Sequence, residues 1–322
     1  MLYPLRFLPI YKSAIWGGEN LSKHFGRALP QATHMAESWE VSGHPDGISV
    51  VANGPLTGMP MTELMARYRQ ELLGTHASSS RFPLLVKFLD AQHQLSVQVH
   101  PNRQYVEENA FDDFEKAEAW VVLRVNPGSR LTLGFKEHTS RETIHDALKE
   151  NRLEDLLATV EPQPGECYFL PPGTVHSLGA GILLYEVQQC SNLTFRLYDW
   201  NRPDENGQLR PLHITHGLRA LNPEHWNTTP ISPRPGNAPG HEILLETPYF
   251  HLARQTFSPR ASHFTTGGDG RCHVLTLLEG TVSIPGLETP MQKGDTVVLP
   301  AVLSATTLSC VEHAVLLDAS NE

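Results

Sequence analysis

The segment Gln94-Leu-Ser-Val-Gln-Val-His-Pro-Asn102 constrains this chain more than any other. Leu95, Val97 and Val99 alternate with Ser96, Gln98 and His100. A β-strand sends successive side chains to opposite faces, so the three polar residues share one face. An apolar outer face with a Gln-x-His pair on the inner one is how a β-barrel presents metal ligands to its interior. A half-buried strand whose polar face meets water fits the same letters, and other stretches must decide between the two.

Composition narrows the field. The 322 residues suffice for a sizeable core and point to two domains. A formal net charge of -10 argues against nucleic-acid and anionic-membrane partners, and makes any phosphorylated ligand depend on a local basic patch. No apolar run approaches the roughly 18 residues of a membrane span. The N-terminus lacks the features of a signal peptide. Cys167, Cys190, Cys272 and Cys310 are scattered without Cys-x-x-Cys spacing, which fits reduced thiols and a cytoplasmic location. The 25 prolines and 24 glycines favour many short strands joined by turns.

Helices are expected over 60–73, with Thr62 as N-cap and Leu64, Met65, Tyr68 and Leu72 as its stripe, over 102–109, over 139–157 and over 212–221. Strands are expected over 83–90, 116–125, 182–187 and 193–200, and a turn over 204–208. In the strand 83–90, Lys87 interrupts an apolar run, so it either reaches out to water or faces a polar cavity. Lys116, Glu118 and Trp120 share one face of the next strand. Trp16, before Gly17 and Gly18, fits either a ligand-facing loop or an aromatic plug. The sequence Pro171-Pro-Gly-Thr-Val-His176 turns one strand into another that begins with a histidine. Residues 227–240 hold four prolines and read as a linker. Beyond them, 241–322 repeats the strand pattern of the earlier barrel without the His and Glu at corresponding places, which predicts a second β domain with no metal.

Gln98, His100, Glu118 and His176 thus stand at strand positions facing a common interior. Two imidazoles, a carboxylate and an amide suit one Zn²⁺, with Fe²⁺ or Mn²⁺ as alternatives. Two histidines and a carboxylate also describe a non-haem iron site, against which the glutamine argues mildly.

The layout resembles a cupin, and more narrowly type I mannose-6-phosphate isomerase (phosphomannose isomerase) in its shorter bacterial form. The motifs that carry the resemblance are Trp16-Gly-Gly, Ala36-Glu-Ser-Trp, Pro83-Leu-Leu-Val-Lys-Phe-Leu, Leu95-Ser-Val-Gln-Val-His-Pro-Asn, Lys116-Ala-Glu-Ala-Trp, Pro172-Gly-Thr-Val-His-Ser-Leu and Tyr185-Glu-Val-Gln-Gln…Phe195-Arg-Leu-Tyr-Asp-Trp200. They fall in the family's order over residues 1–222. The resemblance implies a mainly β fold of two cupin-like (jelly-roll) barrels with a few inserted helices. It implies a metal-binding catalytic domain over 1–226 with helical insertions, the linker 227–240, and a C-terminal cupin-like domain over 241–322. It implies Zn²⁺ on Gln98, His100, Glu118 and His176, and interconversion of mannose 6-phosphate and fructose 6-phosphate through an enediol. Arg196 matches the family's essential arginine, Glu186 its candidate acid/base, and Lys87 and Lys116 its active-site lysines, either able to hold phosphate or assist proton transfer, with Lys116 counted as catalytic and Lys87 as substrate-binding. Ser96, Trp16 and Glu37 match substrate-pocket positions. The partner would be a small sugar phosphate, and the assembly a monomer or small homo-oligomer. One departure stands out: Asn192 follows Ser191 where the family commonly has Asp. A different metal-dependent cupin, another sugar-phosphate isomerase or an Fe(II) oxygenase, is the runner-up enzyme. A non-catalytic sugar-binding cupin is the non-enzyme alternative.

Overall fold

A computed structural model describes residues 2–30, 34–74, 77–203, 207–225 and 228–321. It is mainly β, as the turn-rich sequence predicts. The chain forms two compact units. One comprises Met1–Ile10, Trp39–Val86 and Ile231–Glu322, the other Tyr11–Ser38 and Lys87–Pro230. These differ from the ranges 1–226, 227–240 and 241–322, because N-terminal segments join C-terminal strands. Leu5–Arg6 pairs with Val298 and Val297, and the Ala301 amide donates to the Leu72 carbonyl. The proline-rich stretch also contributes a short strand, Arg234–Pro235, paired with Ile243 and Glu242.

Two sheets make the framework around Tyr11–Ser38 and Lys87–Pro230. In one the strand order is Cys167–Leu170, Glu118–Val125, Ile182–Gln189, Leu84–Ala91, Met35–Val41, Ile10–Gly18. In the other it is Leu157–Val160, Leu131–Phe135, His176–Leu178, Val97–Val99, Phe195–Tyr198. Their facing sides meet in one core, with Leu89, Trp120, Val122 and Leu184 from the first sheet and Leu131, Leu133 and Leu178 from the second. The other side of the second sheet carries Val97, Val99, Phe195 and Leu197, which pack with Ile144, Leu153 and Ala220 of its helical cover. Val97 and Val99 therefore face away from the central core, and Gln98 faces into it.

The helices follow their local signals with three adjustments. The helix Met61–Leu73 begins at Pro60 without a side-chain cap, so Thr62 is not the N-cap. A proline at a helix start needs no partner for its missing N–H. Arg103–Glu108 is capped by Asn102, whose side chain accepts from the Tyr105 amide at 2.9 Å. The helix expected over 139–157 stops earlier: Arg141–Lys149 is α-helical behind a Ser140 cap, and Leu153–Leu156 is a separate 3₁₀ turn. Asn151 between them takes φ 57°, a left-handed conformation that asparagine tolerates and that ends a helix. The helix expected over 212–221 runs Ile214–Ala220. The turn expected over 204–208 lies mostly outside the described residues.

The other unit has a sheet in the order Leu5–Arg6, Thr296–Leu299, His273–Glu279, Ala314–Asn321, Phe250–Phe257, His241–Glu246, Arg234–Pro235. Its core draws in two smaller sheets, through Phe264 and Leu308 from one and Val282 and Met291 from the other. No helix among the described residues is long and apolar enough to cross a membrane.

Candidate active site

Register brings the predicted ligands together. Gln98 is the direct cross-strand neighbour of His176 on one side and of Arg196 on the other. The three side chains therefore share the inward face of the second sheet. Glu118 comes from the facing sheet, at the start of its strand, where it pairs with Leu170 and Gln188. The turn before His176 is fixed to the segment that carries Gln98 and His100 by the Gly173 amide, which donates to the His100 carbonyl at 2.8 Å. Gly173 adopts φ +89°, which an L side chain rarely does.

One side-chain atom from each of His100, Glu118 and His176 lies within 4.8 Å of the other two. His100 Nε2 is 3.2 Å from Glu118 Oε1, and His176 Nε2 is 3.5 Å from Glu118 Oε2. All three residues are buried. The outer ring nitrogens fix the tautomers: His100 Nδ1 is 2.9 Å from the Leu193 carbonyl, and His176 Nδ1 is 2.9 Å from the Thr174 carbonyl. A carbonyl can only accept, so both Nδ1 atoms carry the proton and both Nε2 atoms turn lone pairs inward. Two lone pairs then face a carboxylate in a buried space, and neither His100 Nε2 nor Glu118 Oε2 makes a hydrogen bond. Acceptors facing acceptors without water is unfavourable unless a cation sits between them. The donor set therefore fits a divalent metal. The Gln98 amide lies 3.2 Å from His176 Nε2, and turning it over would offer its oxygen to the same point.

The protonation states agree. Burial, reinforced by Lys116, drops His100 to about 3, and burial lowers His176. Both rings are neutral near pH 7, the form that binds metal. Burial acts to raise Glu118, yet Lys116, with Nζ 2.7 Å from Oε1, and the adjacent His100 ring hold the carboxyl well below its usual range.

Comparison with known proteins shows the family. A family model described as phosphomannose isomerase type I, catalytic domain, matches residues 5–123. A mannose-6-phosphate isomerase of Streptococcus mutans is 34% identical over 308 residues, covering 95% of each chain. The chain belongs to the type I mannose-6-phosphate isomerase family. A Bacillus subtilis mannose-6-phosphate isomerase is 33% identical over 306 residues, covering 92% of this chain and 93% of its own. A crystal structure of the B. subtilis mannose 6-phosphate isomerase superposes with a TM-score of 0.89 at 29% identity, over 100% of both chains. Family membership makes this chain an enzyme of the aldose–ketose isomerase class.

A cavity of about 300 Å³ is lined by Trp16, Glu37, Lys87, Ser96, Gln98, Lys116, Glu118, Glu186, Asn192 and Arg196, which brings together the residues singled out in the sequence. Trp16 is both plug and wall: it lines this cavity and belongs to the core beneath it. Glu186 Oε2 accepts from Trp120 Nε1 at 2.7 Å, and Oε1 lies 3.0 Å from Lys87 Nζ. Burial, with Glu118 nearby, pushes Glu186 up to about 6. Burial pulls Lys87 down, but Glu186, Glu37 and Glu118 outweigh it and push it above the ordinary lysine value. Lys87 does not reach out to water: it is buried and faces the polar cavity, with Glu37 Oε2 at 3.5 Å.

Sequence reasoning missed Arg210, Asp199 and Arg202. Arg210 lines the same cavity as Arg196. Asp199 grips it from both sides, accepting from Nε at 2.7 Å and Nη2 at 2.6 Å. Asp199 also accepts from Arg202 at 2.9 Å. Arg196 donates from Nη1 to the Pro211 carbonyl at 2.9 Å. Burial lowers its pKa, and the neighbouring Arg210 lowers it further. Asp199, Arg202 and Arg210 all follow Arg196 within fourteen residues, and the phosphate requirement in an acidic chain was the signal that pointed to such a cluster.

Proposed function

We propose that this chain interconverts mannose 6-phosphate and fructose 6-phosphate, using one Zn²⁺ held by Gln98, His100, Glu118 and His176. The observation that carries the metal assignment is the pair of inward Nε2 lone pairs around Glu118. When bound, the ion supplies Lewis-acid stabilisation to oxygen atoms of the substrate. Zn²⁺ is preferred over Fe²⁺ or Mn²⁺ because two imidazoles and a carboxylate suit it, and the amide is a poor match for an oxygenase.

Aldose–ketose conversion moves a proton between C1 and C2 through an enediol, so a group that takes and returns a proton must lie beside those carbons. Glu186 fits, with a pKa of about 6 that leaves it ionised at neutral pH yet protonatable in turn. Trp120 and Lys87 hold its carboxylate in place. Lys116 touches Glu118 and lines the cavity, where it adds positive charge next to the developing oxyanion. Arg196 stabilises the enediolate or a substrate oxygen. The phosphate is read by Arg210 together with Arg196, which line the cavity side by side, with Asp199 orienting the Arg210 guanidinium. Ser96, Trp16 and Glu37 shape the sugar pocket. Asn192 stands on the cavity wall near Arg196, so its replacement of an Asp bears on substrate preference. The four cysteines, all buried and none in a disulfide, support a cytoplasmic location. We place the chain as a monomer or small homo-oligomer.

The test is a coupled assay on mannose 6-phosphate, before and after exhaustive chelation and after returning Zn²⁺. Turnover should vanish with the metal and return with Zn²⁺. Turnover that survives chelation removes the metal from the reaction. Tight binding of mannose 6-phosphate without turnover in the zinc-loaded protein would instead favour a non-catalytic sugar-binding cupin.

A further inference from the structure

The C-terminal strands enclose a second polar cavity, of about 300 Å³, that the isomerase reaction does not use. Strand parity shows how it is built. Along His273–Glu279, the residues Leu275 and Leu277 belong to the core, and His273 lies on the same face at the strand's end. Along Ala314–Asn321, Ala314 and Leu316 are core, and Asp318 and Ser320 continue that face. Thr266 continues the face of Phe264, and His251 and Ala253 that of Phe257. On four strands the inner face changes from apolar to polar at one end. His273, Asp318, Thr266 and Ser320 are all buried there. Burying charged groups is costly, and a sandwich that only packs would continue with aliphatic side chains.

The polar end is internally wired. His273 donates from Nδ1 to Asp318 at 2.8 Å and from Nε2 to Asp269 at 3.2 Å. The Thr266 hydroxyl donates to the other oxygen of Asp318. Arg271 contacts His251 Nδ1 at 2.8 Å and places Nε 3.4 Å from Asp269. Both nitrogens of His273 are spent on carboxylates, so this cluster offers no inward lone pair of the kind that marks His100 and His176. It is not a metal site. Its charge also differs from the active-site cavity. The active-site wall has Lys87, Lys116, Arg196 and Arg210 against three carboxylates, whereas here Arg271 and His273 face Glu246, Asp269 and Asp318. A phosphate dianion would meet net repulsion. Rigid carboxylate acceptors, guanidinium and hydroxyl donors, and the Phe264 and His241 rings with centroids 4.8 Å apart form a surface suited to hydroxyl groups and the C–H faces between them.

We propose that this cavity binds an uncharged polyhydroxylated small molecule of monosaccharide or polyol size. The site is separate from catalysis and is lined by Ala253, Phe264, Asp269, Arg271 and Ser320.

The probe is D-mannitol, which has no carbonyl and cannot be turned over. Titration calorimetry on the zinc-loaded enzyme should show binding to wild type and to Arg196→Ala. Affinity should fall about tenfold or more in Asp269→Asn, which removes an ionised acceptor, and in Ala253→Leu, which fills the cavity. Isomerase kcat and KM should stay at wild-type values in both. No binding at millimolar mannitol, binding lost in Arg196→Ala, or binding unchanged in Asp269→Asn overturns the proposal. So does inorganic phosphate competing at this cavity. If Ala253→Leu does not fold, Asp269→Asn decides, since the Asp269 side chain is 43% exposed and does not hold the core.

Discussion

Two buried histidine clusters sit in the two units of this chain, and burial has opposite outcomes in them. His100 falls to about 3 because burial dominates. His273 is also desolvated, yet it rises to about 10 because Asp318 and Asp269 flank both ring nitrogens. The difference lies in what stands behind each ring. A backbone carbonyl takes the outer N–H of His100 and of His176, while the single carboxylate in front is shared with Lys116. Neutral imidazoles with lone pairs inward result, the donor set that suits a divalent metal. At His273 two carboxylates take both N–H groups, and the imidazolium is itself the cation. A buried His–carboxylate cluster therefore indicates a metal only when the geometry leaves lone pairs unspent.

Breaking the first cluster should have the largest effect. His100→Ala should lose the metal and reduce turnover by several orders of magnitude, read by metal analysis beside the coupled assay. Arg196→Ala tests the wall of that cavity: the metal should stay, and kcat should fall about a hundredfold or more with a smaller change in affinity. An unchanged kcat would remove Arg196 from the chemistry.

The second cluster makes a pH prediction. The folded pKa of His273, about 10, lies above its unfolded value of 6.5. Its contribution to stability is complete below pH 6.5 and is lost as pH rises through 10, a few kcal/mol in all. Asp318→Asn should therefore destabilise the protein most near pH 6, and the gap to wild type should narrow toward pH 10 in urea unfolding. A gap that widens with pH would mean that His273 is not the cation. The smallest effect concerns the phosphate. Arg210→Ala should raise KM for mannose 6-phosphate by about tenfold, the scale of one hydrogen bond to a charged group, with kcat nearly kept.

How much of this was legible in the sequence differs between the clusters. Parity alone placed Ser96, Gln98 and His100 on one face, and ordered motifs added Glu118 and His176. Each of these signals is local or belongs to a strand with plain alternation. Register is not local: nothing in the letters says that Gln98 lies between His176 and Arg196. The end of the helix at Lys149 rests on one asparagine in a left-handed conformation, which the leucine stripe through Leu157 conceals. Arg210 went unread because it stands in a loop-rich segment with no periodicity, and Asp199, though inside a quoted motif, was given no role because its partner Arg210 lies beyond that motif. The C-terminal sandwich was read as a barrel without the His and Glu of the first. Its own histidine and aspartates were overlooked because His273 and Asp318 are 45 residues apart and meet only through strand pairing.

The most direct measurement is the zinc content of three purified proteins: wild type, His100→Ala and Asp318→Asn. One Zn²⁺ per chain in wild type and Asp318→Asn, with none in His100→Ala, is the predicted result. Zinc retained by His100→Ala, or lost from a folded Asp318→Asn, would contradict the assignment of the metal to the first cluster.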